Sequence, residues 1–198
     1  TQAGFFKESV NFDRGYEDPV HSIRRQSEGV YAMLHFLAYE RENGRRHPEW
    51  EQKMKNMLDI LLQLQHEDGS FPRKFHDDFT IVDNSGGSTP SATLPLIMGY
   101  KYFKDKRYLA SAKRTADYLE KVLISKADYF SSTLDANCED KEASLYAATA
   151  TYYLSLITKG DEHRHYADLT RKAAYFALSW YYVWDVPFAQ GQMLGDIG

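Results

Sequence analysis

Two stretches of this chain concentrate side chains that could do chemistry. Residues 67–88 hold Arg73, His76, Asp77, Asp78 and Asp83, followed by Gly86 and Gly87, which let a backbone turn tightly beside a ligand. Residues 124–141 hold Asp135, Asn137, Glu139 and Asp140, with Glu142 just beyond. One carboxylic acid can deliver a proton while an ionised carboxylate takes one from water, so paired acids across a cleft equip a site for general acid–base catalysis. Aromatic residues make up 15% of the chain, and Tyr129, Phe130, Trp180, Tyr181 and Trp184 fall in or near these stretches or in the tail. Flat apolar faces beside carboxylates suit a ligand that has both C–H faces and hydroxyl groups.

The elements that must position these groups are helices. Trp50, Tyr108 and Tyr166 recur 58 residues apart, and each opens an amphipathic segment. Over 48–66, Trp50, Met54, Met57, Leu58, Leu61 and Leu64 follow three- and four-residue steps, with Glu51, Lys53, Lys55 and Asp59 opposite. Segments 107–123 and 164–182 repeat that pattern. Each is preceded by a segment apolar on nearly every face, at 27–42, 92–103 and 143–157. A helix apolar all round needs cover on all sides, so these first members are expected inside and the amphipathic ones outside. Pro95 is expected to reset or kink the second inner helix. The expected fold class is all-α: repeated helical hairpins forming part of an (α/α) toroid over 27–198, after an irregular lead-in over 1–26.

The links at 43–47, 104–106 and 158–163 are short, whereas those at 67–88 and 124–141 are long. With helices alternating in direction, the long links share one face, beside the N-termini of the inner helices, and the tail from residue 183 arrives there too. Long structured loops are where function concentrates. That shared face pairs Asp78 with Asp140 as acid and base, with Glu142 in reserve. Arg73, His76, Asp77, Asp83, Asp135 and Trp184 are the expected binding residues. Asp140 fits an N-cap for the helix that begins near residue 141 at least as well, and for Asp77 and Asp78 a solvated loop is favoured over catalysis.

Composition narrows the alternatives. A net charge of −4 with scattered Lys and Arg gives no clustered basic face, so no nucleic-acid partner is expected. The longest apolar stretches are far too short to span a bilayer. The one cysteine, Cys138, cannot form an internal disulfide and has no nucleophile signature around it. His163 and His165 lack accompanying acids at ligand spacing, and Asp77-Asp78 is followed by Ile81 where a magnesium-binding Asp-Asp-x-x-Asp run needs an acid. No Gly-rich phosphate loop occurs, so no metal or other cofactor is expected.

Residues 61–71 read L-L-Q-L-Q-H-E-D-G-S-F, which resembles the Leu-x-x-x-Gln then Gly-x-Trp turn of terpene cyclases and other α/α toroids, with Phe71 in place of the Trp. In those families the turn is mainly structural, which assigns Gln65, Asp68 and Gly69 to tying helix ends. More broadly, 27–198 resembles the six-hairpin glycosidase superfamily, particularly bacterial polysaccharide-degrading proteins with loops such as D-A-N-C-E-D-K-E (135–142) and W-D-V-P-F (184–188). The resemblance implies an (α/α) barrel acting on oligosaccharide or polysaccharide, with paired acids at the inner-helix N-termini. It also implies a periplasmic or secreted location, and a glycoside hydrolase as the leading expectation. A polysaccharide lyase with a Tyr or His base, and a non-catalytic glycan-binding piece, are the alternatives. A full ring has six hairpins and this chain supplies about three, so a fragment of a longer protein is expected. The end helices should then expose apolar surface unless the rest of the ring or a homodimer partner covers them.

Overall fold

The structure, a computed structural model, describes residues 4–130 and 138–181. Helix α1 spans Ile23–Glu42, α2 Pro48–Leu64, α3 Thr89–Phe103, α4 Lys106–Tyr118, α5 Lys141–Ile157 and α6 Gly160–Leu178. A π-helical turn over Leu119–Ile124 continues α4. The starts have local causes. Ser22 caps α1 by accepting from the Arg25 N–H at 3.3 Å, and Asp105 caps α4 through the Arg107 N–H at 2.9 Å. Pro48 and Pro90 stand in the first turns of α2 and α3, where a missing N–H is harmless. Pro95 lies inside α3, which begins well ahead of it at Thr89 and loses one ladder bond there.

Helices α1, α3 and α5 form one layer with α3 in the middle, while α2, α4 and α6 pack outside. Twelve of the 15 residues of α3 are buried, and its Gly99 lets Leu58 of α2 approach so closely that a Cβ would stand 2.5 Å from a Leu58 methyl. The flanking inner helices are covered on one side only. Phe36 and Tyr39 on α1, and Leu145, Tyr152 and Leu156 on α5, remain exposed. Among the described residues no helix is long and apolar enough to cross a membrane.

The lead-in differs from the irregular segment expected over 1–26. Strands β1 (Val10–Asn11) and β2 (Tyr16–Glu17) form a small ladder, and β3 (Val20–Ser22) runs directly into α1. The first long link folds as a hairpin of β4 (Lys74–His76) and β5 (Ile81–Asp83), and β3 pairs antiparallel with β4 to give a sheet in the order β3-β4-β5. Strands of two or three residues are too short to show a period, so sequence pattern misses them. Gln26 pins the chain before them, accepting from the Phe6 N–H at 2.9 Å and donating to the Phe6 carbonyl at 3.0 Å.

The turn after α2 ties the outer layer together. Gln65 Nε2 donates to Ser111 O at 3.1 Å and Thr115 Oγ1 at 2.9 Å on α4, while its Oε1 accepts from Ser111 Oγ at 2.7 Å. Asp68 accepts from the Ser70 N–H at 2.9 Å. Gly69 sits at φ +91°, and a Cβ there would fall 2.1 Å from the Arg114 carbonyl oxygen.

Gly69→Ala therefore combines left-handed strain with a backbone clash, and should destabilise by about 1–3 kcal/mol in denaturant unfolding. At the other end of α1, Glu40 is held by Arg45 Nε at 2.8 Å and His47 Nε2 at 2.9 Å. Those bonds, Arg45 first, lower its pKa from 4.5 to about 2. A carboxyl depressed in the folded state stabilises above its unfolded value and loses that contribution as pH falls through the folded one, here from 4.5 down to about 2. The Tm difference between the wild type and Glu40→Gln should close across that window.

Candidate functional site

The N-termini of α1, α3 and α5 meet at one end of the inner layer. Arg24, in the first turn of α1, reaches Glu142 in the first turn of α5, with Nη1 2.6 Å from Oε2. One turn further, Tyr146 on α5 donates its hydroxyl to Glu28 on α1. Beyond that, the hydroxyls of Tyr31 and Tyr153 lie 3.1 Å apart. These ascending pairs show that α1 and α5 run parallel and face each other across α3. Between them opens a cavity of about 210 Å³ lined by Ser27, Glu28 and Tyr31 of α1, Ser91 and Leu94 of α3, and Tyr146 of α5.

The polar groups here act on one another. Arg24 Nε donates to Glu28 at 3.0 Å, so a single guanidinium bridges Glu28 and Glu142. It also lies over the Tyr146 ring, 5.9 Å from its centroid. Burial alone would lower the Arg24 pKa, but the Glu28 bond and the charges of Tyr146, Glu28 and Glu142 raise it, so it is a permanent cation. Burial first, then the Glu28 bond, pushes the Tyr146 hydroxyl up, and burial followed by Tyr153 does the same for Tyr31. Both phenols stay protonated, Tyr146 donating to Glu28 and Tyr31 sharing a hydrogen bond with Tyr153. The site therefore offers two carboxylates, a cation and hydroxyl donors around a space that can take a small polar ligand.

The residues expected from sequence fall into two groups. Glu142 does not line the cavity itself but shares Arg24 with Glu28, which does. Asp140 is the N-cap of α5, its carboxylate accepting from the Glu142 N–H at 2.8 Å. Arg73, His76, Asp77, Asp78 and Asp83 gather on the β4–β5 hairpin. Arg73 is buried, with Nη1 3.7 Å from Asp83, and its backbone carbonyl accepts from the Ile23 N–H at 3.1 Å, which ties the hairpin to the start of α1. Asp77 bonds Nε2 of the fully buried His21 at 2.6 Å, and His76 Nδ1 stands 3.4 Å from the Pro19 carbonyl. Asp78 lies at the exposed turn and accepts from the Thr80 N–H at 2.9 Å, which holds its carboxyl below the ordinary value. Burial would raise the Asp83 pKa, but the Ser85 N–H and the charges of Arg73 and Lys74 lower it on balance. Neither Asp78 nor Asp140 lines the cavity among the described residues. Asp135 and Trp184 lie outside the described residues.

Among the aromatic candidates, Tyr129 is buried against Phe176 with centroids 4.4 Å apart, so it presents no face to a ligand. Trp180 is 42% exposed. Lys141 Nζ sits 5.7 Å from the Tyr181 ring centroid, which brings the end of α6 beside the start of α5. His163 and His165 belong to α6, bonding the Ser155 carbonyl at 2.8 Å and Glu120 at 3.0 Å, and Cys138 is exposed.

Sequence reasoning looked to the loops and passed over Arg24, Glu28, Tyr31 and Tyr146, which lie on helices. Their signal is the spacing 24, 28, 31 on α1 and 142, 146, 153 on α5, polar rows along helices otherwise apolar. Larger hollows among the described residues lie elsewhere. One of 550 Å³ is formed by residues 46–50 at the opposite end, within a single segment, and one of 320 Å³ lies beside β3, where Glu8 already bonds Ser22.

Solved structures place this architecture. The chain matches an unsaturated glucuronyl hydrolase solved with dGlcA-Glc-Rha-Glc at a TM-score of 0.65 and 14% identity, covering 90% of this chain and 52% of that one. It matches a D-mannose isomerase at 0.67 and 16%, over 100% and 56% of the two chains. It matches a cellobiose 2-epimerase from Bacillus thermoamylovorans at 0.59 and 15%, over 86% and 48%. These are (α/α)6 toroid enzymes, so the chain has the six-hairpin glycosidase-like fold and forms part of such a ring. It spans about half the length of the structures it matches. No protein-family model matches the chain.

The two readings of Asp140 separate by substitution. Asp140→Ala should lower stability by about 0.5–2 kcal/mol in denaturant unfolding, and Asp140→Ser or Asp140→Asn should restore most of it, as a capping role requires.

Proposed function

We propose that this chain supplies the N-terminal mouth of a carbohydrate-processing toroid, and that Glu28 and Glu142 are the paired carboxylates that hydrolyse a glycosidic bond there. The observation carrying this reading is the shared guanidinium of Arg24, which holds both carboxylates beside a cavity edged by Tyr31 and Tyr146. Glycoside hydrolysis needs one group to protonate the leaving oxygen and a carboxylate to activate water. Glu28, acceptor to both Arg24 and Tyr146, is presented as the base. Glu142 is 43% exposed, so a sugar oxygen entering beside it can displace it from Arg24; the released carboxylate takes a proton from solvent and passes it to the leaving oxygen. Tyrosine faces offer stacking for sugar C–H groups and their hydroxyls offer donors.

The surrounding residues take supporting parts in this reading. Asp140 fixes the first turn of α5 and so orients Glu142. His76, Asp77 and Asp78, on the hairpin bonded to the start of α1, recognise sugar units further from the cleaved bond. Arg73 and Asp83 hold that hairpin in place. Asp135 and Trp184 keep the substrate-binding role assigned from sequence. The matched structures are by name a hydrolase, an isomerase and an epimerase of sugars, which supports a saccharide ligand and leaves hydrolysis to rest on the carboxylate pair.

The test is release of reducing ends from a panel of neutral and uronate-bearing oligosaccharides. Glu28→Gln and Glu142→Gln should each lower kcat/KM by about 10²-fold or more. Asp78→Asn should lower it by a smaller factor, about three- to tenfold, expressed in KM rather than kcat. Full activity in either glutamine variant would overturn the pairing, and sugar interconversion without new reducing ends would overturn hydrolysis.

A further inference from the structure

The cavity wall contains a group that the proposed chemistry does not use. Ser27 precedes Glu28 on α1 and is 0% exposed, yet among the described residues its Oγ has no hydrogen-bond partner. Serine and threonine inside a helix ordinarily return the hydroxyl to a carbonyl three or four residues back. On α5, Thr149 does so to Leu145 at 2.8 Å and Thr151 to Ala147 at 2.9 Å. Ser91, across the cavity, bonds the Ser88 carbonyl at 2.7 Å. Thr93 on α3 also lacks a partner but does not line the cavity; among the lining residues Ser27 alone is left so, and an unpaired buried hydroxyl is unfavourable in the empty protein.

We infer that Ser27 is a specificity-determining residue of this site, its Oγ hydrogen-bonding one ring hydroxyl of a sugar seated in the cavity between α1, α3 and α5. The inference rests on the carbohydrate reading above. A sugar hydroxyl is both donor and acceptor, and so is serine, so the pair satisfies itself in either direction. At about 210 Å³ the space is smaller than the roughly 300–1,000 Å³ of pockets for drug-sized ligands, which fits a single sugar ring. The neighbouring Glu28 and Tyr146 then meet adjacent positions of the same ring.

Removing an unpaired buried hydroxyl and removing a ligand contact act in opposite directions, which makes the test specific. Ser27→Ala in the full chain should raise Tm by about 2–4 °C, because the variant no longer buries an unsatisfied oxygen. Isothermal titration with D-glucose, D-mannose, D-glucuronate and cellobiose should show at least one ligand bound by the wild type, and about three- to tenfold more weakly by Ser27→Ala. Among monodeoxy analogues of that ligand, one should lose the same factor against the wild type and nothing further against the variant. Equal affinity of the two proteins for every analogue, or a lower Tm for the variant, would overturn the inference. If equal affinity is found while Glu28→Gln abolishes turnover, the hydrolase reading stands without it. If none of the four sugars binds the wild type, both fall.

Discussion

Helix α3 is buried along nearly its whole length, and a rod apolar on every side is stable only where neighbours enclose it. Burying Leu94, Leu96, Ile97 and Met98 is worth about 1.5–3 kcal/mol for each side chain. The ion pairs of the site involve side chains up to 43% exposed, and such pairs contribute about 0–1 kcal/mol each. Packing therefore sets the geometry and charge is fitted to it. The requirement to cover α3 brings α1 and α5 to its two flanks, and that approach lets Arg24 on one reach Glu142 on the other.

Covering α3 with parallel neighbours also gathers three helix N-termini at one end. Each carries unpaired N–H groups and a positive partial charge, so that end favours acids. Asp140 and Glu142 answer this directly, one capping α5 and the other in its first turn. Glu28 lies a turn deeper, where the dipole has faded, and takes its donors from Arg24 and Tyr146 instead. The phenols pushed upward by burial, Tyr31 and Tyr146, stay protonated in the same space, Tyr146 as the donor to Glu28.

The helices were legible because their causes are local and periodic. Three- and four-residue apolar steps, the prolines at residues 48 and 90 and the 58-residue recurrence of Trp50, Tyr108 and Tyr166 each leave a mark in the chain. Boundaries moved where caps lay outside the apolar pattern: α1 starts at Ile23 because Ser22 caps it, and its first turn is too polar to extend the stripe. The β3-β4-β5 sheet was invisible, being held by pairings between distant short segments. The Gln65 turn was legible in its residues, although its actual partner, α4, could only come from the packing. At the site, Glu142 was named and Glu28 was not. An isolated acid on an apolar helix reads as a surface residue until the opposite helix supplies Tyr146.

The inner layer thus divides its work. The side chains of α3 are committed to packing, and within the cavity α3 contributes only Leu94 and the already bonded Ser91. The charged and hydroxyl groups of the site come from α1 and α5, whose far flanks are uncovered and whose near flanks carry polar rows at 24, 28, 31 and 142, 146, 153. Those rows sit on helices clamped to a rigid centre rather than on the loops, which is the rigidity the proposed acid–base pair requires, because acid and base act only when held at fixed separation. The described parts of the long links meet the same end: the β4–β5 hairpin is bonded to the start of α1 through Arg73, and Asp140 caps α5. Any change that shifts α3 relative to its two flanks should therefore reach Arg24 and its carboxylates before it reaches the hairpin.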